Sequence, residues 1–268
     1  MRIALAQLDS RLGDTASNAR RTVEAAEAAR TAGAEFVVFP ELQLSGYGNR
    51  AGADAALEAD GAAAIANGFA SLVGFQELDD GRRYNSAAFV EGGTTVHVHR
   101  KLYLPDYAPF NEDARFDAGE TMRAFDTSFG RMAVLICNDA WQPFLPTLAV
   151  QDGAEILLIP SASSTAVPEA EAYWRELTRF YARMLECYVV FVNRVGTEGE
   201  FTFWGGSHVV DPLGDVIAEA PRMEEFLLIA ELDLEHVAKR RRALPLVGQL
   251  RPELLRGELA RLGAAGRR

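Results

Sequence analysis

The chain has 268 residues, ample for a deep core, and 49% are hydrophobic against 24% charged, an ordinary globular balance that excludes wholesale disorder, collagen and coiled coil. Its 27 basic residues face 38 acidic ones, a net charge of −11, and a surface this acidic argues against nucleic-acid or anionic-membrane partners. Two cysteines are too few for a disulfide framework. The opening MRIALAQLDS reaches Gln7 and Asp9 before a secretory apolar region develops, and no apolar run approaches the ~18 residues of a membrane span, so a soluble cytoplasmic protein with reduced thiols is expected.

From the N-terminus, Ile3–Leu8 reads as a strand, and the Ala- and Glu-rich stretch Asp14–Ala32 as a helix capped by Asp14 or Thr15 and stopped by Gly33. Glu35–Phe39 is a second strand, Ala55–Ala70 a weaker helix interrupted by Gly61 and Gly68, and Ser71–Gln76, Tyr84–Glu91 and Thr94–His99 a meander of strands. Arg131–Cys137, Glu155–Ile159 and Tyr188–Asn193 repeat the strand pattern, with a long helix over Glu169–Glu186. Ser207–Asp211, Asp215–Ala220 and Phe226–Leu232 close the series. Runs such as FVVF, ILLI and YVVFV lack alternation, as strands covered on both faces do. The order is mixed α/β with two similar halves. No linker or repeat divides it, so one domain over 1–268 is expected, with a core of about 1–240 and a Leu- and Arg-rich tail over about 245–268 that needs something to pack on, such as a neighbouring subunit. The basic run Lys239–Arg242 reads as a helix end favoured by the dipole.

Three polar residues stand at the ends of buried strands. Cys137 ends MAVLIC, where α/β folds place ligands, although cysteine is also an ordinary core residue. Glu41 follows AEFVVFP, where Pro40 stops the ladder, and an ionised group there is costly unless paired or used. Lys101 ends TTVHVHR and by itself reads as an ordinary surface lysine. Converging on one rim, the three would supply the nucleophile, base and oxyanion stabiliser of acyl transfer. His97 and His99 alternate on one strand and are expected on a solvated face, with no further ligands nearby for a metal. Cys187 reads as a buried structural thiol. Gly46, Gly48 and Gly52 lack dinucleotide spacing.

FPELQLSGYG, RKLYLPDYAPFNEDARF, VLICNDAWQP, VVFVNRVG and FWGGSHVVDPLGD, in that order and over nearly the whole chain, resemble motifs of the nitrilase superfamily of carbon–nitrogen hydrolases. The resemblance implies a four-layer α-β-β-α sandwich of two mixed sheets that dimerises by packing sandwiches together. It assigns Glu41 as general base, Lys101 as the cation of the oxyanion hole, Cys137 as nucleophile and Glu112 as the carboxylate that orients the lysine. The backbone N–H of Asn138 completes the oxyanion hole, and neither metal nor organic cofactor is called for. The expected partner is a small-molecule amide, cleaved through a thioester with release of ammonia or an amine.

The nucleophile segment departs from its relatives. The CND triplet resembles hydrolases of N-carbamoyl-D-amino acids, but Ala140 and Trp141 stand where those have two arginines, and a buried carboxylate wants a guanidinium fork. CNDAWQP also resembles the CEDLW-type motif of glutaminase domains that feed NAD synthetase, with Asn138 replacing a glutamate and no ATP motif following. A stand-alone amidase is therefore expected ahead of a glutaminase subunit, a carbamoyl-amide hydrolase or a catalytically silent scaffold. Tyr47, Tyr107, Trp141, Trp174 and Trp204 are the aromatic candidates for the substrate pocket, each equally readable as packing.

Overall fold

The computed structural model describes residues 1–48, 56–65 and 68–264. In the first half, β1 (Arg2–Gln7), α1 (Thr15–Thr31), β2 (Phe36–Val38), α2 (Ala59–Ile65), β3 (Ser71–Asp79), β4 (Arg82–Glu91) and β5 (Thr94–Arg100) follow in order. The Asp14 carboxylate accepts from Ser17 N at 3.0 Å and starts α1. The expected helix over Ala55–Ala70 is reduced to Ala59–Ile65 among the described residues, and Ala55, Ala66 and Asn67 lie outside them.

The second half runs β6 (Ala124–Thr127), β7 (Gly130–Val134), a 3-10 turn over Cys137–Trp141, α3 (Phe144–Gln151), β8 (Ile156–Ser161), α4 (Ala170–Leu185) and β9 (Tyr188–Asn193). A hairpin of β10 (Val195–Glu198) and β11 (Phe201–Trp204) follows, then β12 (His208–Val210), β13 (Val216–Glu219), β14 (Phe226–Glu231), α5 (Leu234–Ala243) and α6 (Pro252–Ala264). The basic run Arg240–Arg242 occupies the last turn of α5, as its charge predicts.

Two six-stranded sheets result, ordered β14-β1-β2-β3-β4-β5 and β13-β12-β9-β8-β7-β6. The centre of each is parallel (β1, β2 and β3 in one; β7, β8 and β9 in the other) and the flanks are antiparallel. Alternation along each strand then builds the layers. Ile3 and Leu5 of β1 meet Ile156, Leu158, Val190 and Val192 of the opposite sheet in a shared core. Ala4 and Ala6, on the other face, pack with Ala26 and Ala29 of α1. Leu157, Ile159, Val189 and Phe191 pack outward against Leu145, Ala149, Trp174 and Tyr181 of α3 and α4. The order of layers is helix, sheet, sheet, helix, and the central strands are apolar on both faces because both faces are covered.

The histidines of β5 depart from the expected solvated face. His99 is buried, and His97 stacks on Phe125 of the facing sheet at 4.4 Å. Burial, reinforced by the charge of His99, lowers the pKa of His97 to about 4. Cys187 is fully buried where α4 meets β9, and burial pushes its thiol up to about 12. No helix among the described residues is long and apolar enough to cross a membrane, and no group of three His, Cys, Asp or Glu among them could hold a metal.

Candidate active site

The C-terminal ends of β2, β5, β7 and β8 meet at one rim. Past β2 the chain turns at Pro40, Leu42 adopts a left-handed φ of 50°, and the Glu41 side chain between them is buried. The turn can lie this close to β3 because residue 74 is glycine: a Cβ there would stand 2.3 Å from the Pro40 carbonyl oxygen. Lys101 follows β5 directly and is anchored by its backbone N–H donating to Asn85 O at 2.8 Å. Cys137 opens the 3-10 turn beyond β7, itself left-handed with φ 46°, the kind of backbone strain that concentrates at functional sites.

The charged groups are almost wholly buried and tightly joined. Lys101 Nζ donates to Glu41 Oε1 at 2.7 Å and stands 2.8 Å from both oxygens of Glu112. Glu41 also accepts from Asn85 Nδ2 at 2.7 Å and from the backbone N–H of Ala162, just past β8, at 2.8 Å. Tyr47 donates its hydroxyl to Glu112 Oε1 at 2.5 Å. Burial works against the Lys101 charge, but Glu112, Glu41 and Cys137 outweigh it and raise the pKa above the ordinary lysine range. Burial raises Glu112, with Lys101 opposing and Glu41 adding to the rise. Burial, then the charge of Glu41, holds the Cys137 thiol well above its usual range despite Lys101, so the resting sulfur keeps its proton.

Asp139 fixes the nucleophile turn to the lysine loop. One oxygen accepts from the backbone N–H groups of Leu102 and Tyr103, both at 2.9 Å, and the other meets Ile136 N at 3.1 Å and His99 Nε2 at 3.0 Å. Asn138 Nδ2 donates to Tyr103 O at 3.0 Å, a further tie between the same loops. Tyr47 is fixed from behind. Its backbone N–H donates to Glu198 at 3.0 Å, and Glu198 pairs at 3.0 Å with fully buried Arg194, which lies over the Phe203 ring. Arg194, just past β9, thus reaches the centre through Glu198, Tyr47 and Glu112.

Cys137 is partly exposed to a narrow cavity of about 40 Å³, room for a few water molecules at roughly 10–15 Å³ each. Tyr47, Tyr107, Trp141 and Trp174 line it, as do Phe110, Val167 and Ser163. Trp204 does not: its indole N–H donates to Ser163 Oγ at 3.3 Å from behind the wall while its ring stacks on Phe191. The structure thus brings Glu41, Lys101, Glu112, Cys137 and Asn138 together with four of the five aromatic candidates. Sequence reasoning missed Asn85, Asp139, Ser163 and the Ala162 amide. Asp139 lies inside a motif already singled out and Ser163 just past the strand ILLI, whereas Asn85, in mid-strand, carried no local signal.

The family model for carbon-nitrogen hydrolases matches residues 2–242. The glutamine-dependent NAD(+) synthetase of Acinetobacter baylyi is 31% identical over 87% of this chain, which spans 44% of that protein's length. The N-carbamoylputrescine amidase of Arabidopsis thaliana is 31% identical over 68% of this chain and 66% of its own. Among solved structures, a carbon-nitrogen hydrolase from Helicobacter pylori G27 superposes with a TM-score of 0.87 at 26% identity, covering 97% of this chain and 98% of that one. An amidase from Nesterenkonia sp. AN1, solved as a double mutant with acrylamide, gives 0.81 at 25% identity over 96% of each. The chain belongs to the carbon-nitrogen hydrolase family of the nitrilase superfamily.

Proposed function

We propose that the protein hydrolyses a small linear amide through a thioester on Cys137. The observation that carries this reading is the buried cluster of Glu41, Lys101 and Glu112, whose charges act on the Cys137 thiol where it faces a narrow cavity. Glu41 takes the thiol proton as sulfur attacks the carbonyl carbon, in keeping with a thiol whose raised pKa leaves it protonated at rest. The Lys101 ammonium and the Asn138 N–H receive the developing oxyanion. The C–N bond then breaks, and the leaving nitrogen takes the proton from Glu41. Water enters, Glu41 deprotonates it, and its attack on the thioester returns the acid and the free thiol. Glu112 holds Lys101 in place throughout, and no step calls on a metal or organic cofactor.

Ammonia release tests the reading, from short aliphatic amides, ω-amides, glutamine, asparagine and carbamoyl compounds, with Cys137→Ala as control. Release by the native protein that vanishes in the variant is expected. Release that survives in the variant, or none from any compound, sinks it. A second reading, a glutaminase subunit serving a separate synthetase, is favoured by the likeness to NAD(+) synthetases over most of this chain. It requires that glutamine lead the panel and that a synthetase partner raise its hydrolysis.

A further inference from the structure

Ser163 follows Ala162, whose backbone N–H donates to Glu41 and helps hold down the rise in the Cys137 pKa. Its side chain is nearly buried and lines the cavity. Two indole N–H groups converge on its oxygen, Trp174 Nε1 at 3.0 Å and Trp204 Nε1 at 3.3 Å. A serine hydroxyl has two acceptor lone pairs and one donor proton. The indoles are donors only, so together they occupy both lone pairs and leave Ser163 only its proton to offer. Among the described residues no acceptor takes that proton, and the backbone of Ser163 is itself fixed by Asn193, which accepts from its N–H at 2.8 Å and donates to its carbonyl at 3.2 Å.

We propose that Ser163, set by Trp174 and Trp204 as a one-way hydrogen-bond donor, selects amides that carry a second, uncharged acceptor oxygen near the scissile carbonyl. The inference rests on the amide-hydrolase reading above and names its substrate class. Charge rules out the alternative acceptor. Lys101, which among the described lining residues is the one that carries positive charge, is already held by two carboxylates. Among the described residues a substrate carboxylate would enter beside Glu41 and Glu112 with no cation of its own, a costly burial. A carbonyl or carbamoyl oxygen meets no such penalty. The arrangement also gives Trp204 a role from outside the cavity, since its indole N–H removes the acceptor capacity that would let Ser163 bind a donor.

The test is binding to the Cys137→Ala protein, where turnover is blocked, with hexanamide, succinamide and succinamate as probes. The three tryptophans give three indole signals in a nitrogen–proton correlation spectrum. Succinamide is expected to move those of Trp174 and Trp204 and to bind more tightly than the other two. Adding Ser163→Ala should weaken succinamide by about three- to tenfold, the range for one neutral hydrogen bond, and leave hexanamide unchanged. Ser163→Thr, which keeps the hydroxyl, should restore the preference and controls for folding. Equal loss for succinamide and hexanamide, a preference for succinamate, or indole signals that do not respond would overturn the proposal. Ammonia release by the native protein, measured separately, reports on the amide-hydrolase reading itself, so the two failures are distinguishable.

Discussion

His99 and Asp139 meet at 3.0 Å with both side chains buried, joining the strand that presents Lys101 to the turn that presents Cys137. Three partners of Asp139 are backbone N–H groups, and the tautomer of His99 with its proton on Nε2 adds a fourth donor to an acceptor. Asp139→Asn keeps the shape but turns an NH2 group toward donors. Leaving buried polar groups unmatched costs about 1–3 kcal/mol, and the two loops should drift apart. The expected outcome is a fall in kcat of about tenfold or more with KM changed less, alongside a lower unfolding midpoint. Steady-state kinetics and denaturant melts check it. His99→Ala, which leaves three of the four donors in place, should do less on both counts.

Tyr47 predicts a pH effect. Its hydroxyl bond pulls the Glu112 pKa down against burial. In Tyr47→Phe that restraint is gone, so Glu112 protonates at higher pH than in the native protein. A protonated Glu112 no longer balances the Lys101 charge. The acid limb of the kcat/KM profile is therefore expected to move to higher pH, with the plateau reduced by about tenfold, the scale of one charge-assisted hydrogen bond. A limb that stays put would show that Glu112 does not set it.

Two histidines are expected to govern acid stability. Burial lowers both His97 and His208 from 6.5 to about 4. Between those values the unfolded chain binds protons that the folded chain refuses, so stability rises with pH across this window and falls as pH drops from about 6.5 to about 4. A tenfold difference in proton affinity between the folded and unfolded chain corresponds to about 1.4 kcal/mol. His208→Gln should flatten the decline of the unfolding midpoint on acidification, and thermal melts from neutral pH downward measure it.

Much of this was legible because the strands are buried on both faces. FVVF, ILLI and YVVFV announce themselves as central strands, and three of the charged or nucleophilic site residues stand at strand exits that a reader of sequence can find. The hairpin β10–β11 and strand β6 were not legible. They are four residues each, and the apolar content of the hairpin serves local rings, Phe201 and Phe203 around Tyr47, while β6 offers the inter-sheet core little beyond Phe125. The solvated face expected for His97 and His99 failed because a polar side chain carries no mark of which way its strand faces. β5 turns both inward, and Phe125 and Asp139, distant in sequence, receive them. Asn85 was invisible for the same reason: its value lies in a 2.7 Å bond to Glu41 across two intervening elements.

Glu41 and Cys137 give the sharpest chemical expectation, because removing one carboxylate should move two quantities in opposite directions. The charge of Glu41 raises the Cys137 pKa, so Glu41→Gln should lower it and increase the thiolate present at a given pH. The same change deletes the base that takes the thiol proton and activates water, a role worth about 10²–10⁴-fold in rate. Amide turnover should therefore fall by at least about a hundredfold, while the pH midpoint for alkylation of Cys137 by iodoacetamide shifts downward. Cys187 is the internal reference, since burial raises it with Glu41 absent from its surroundings. Turnover and alkylation falling together, with no shift of the midpoint, would mean that Glu41 acts by shaping the site rather than as the base.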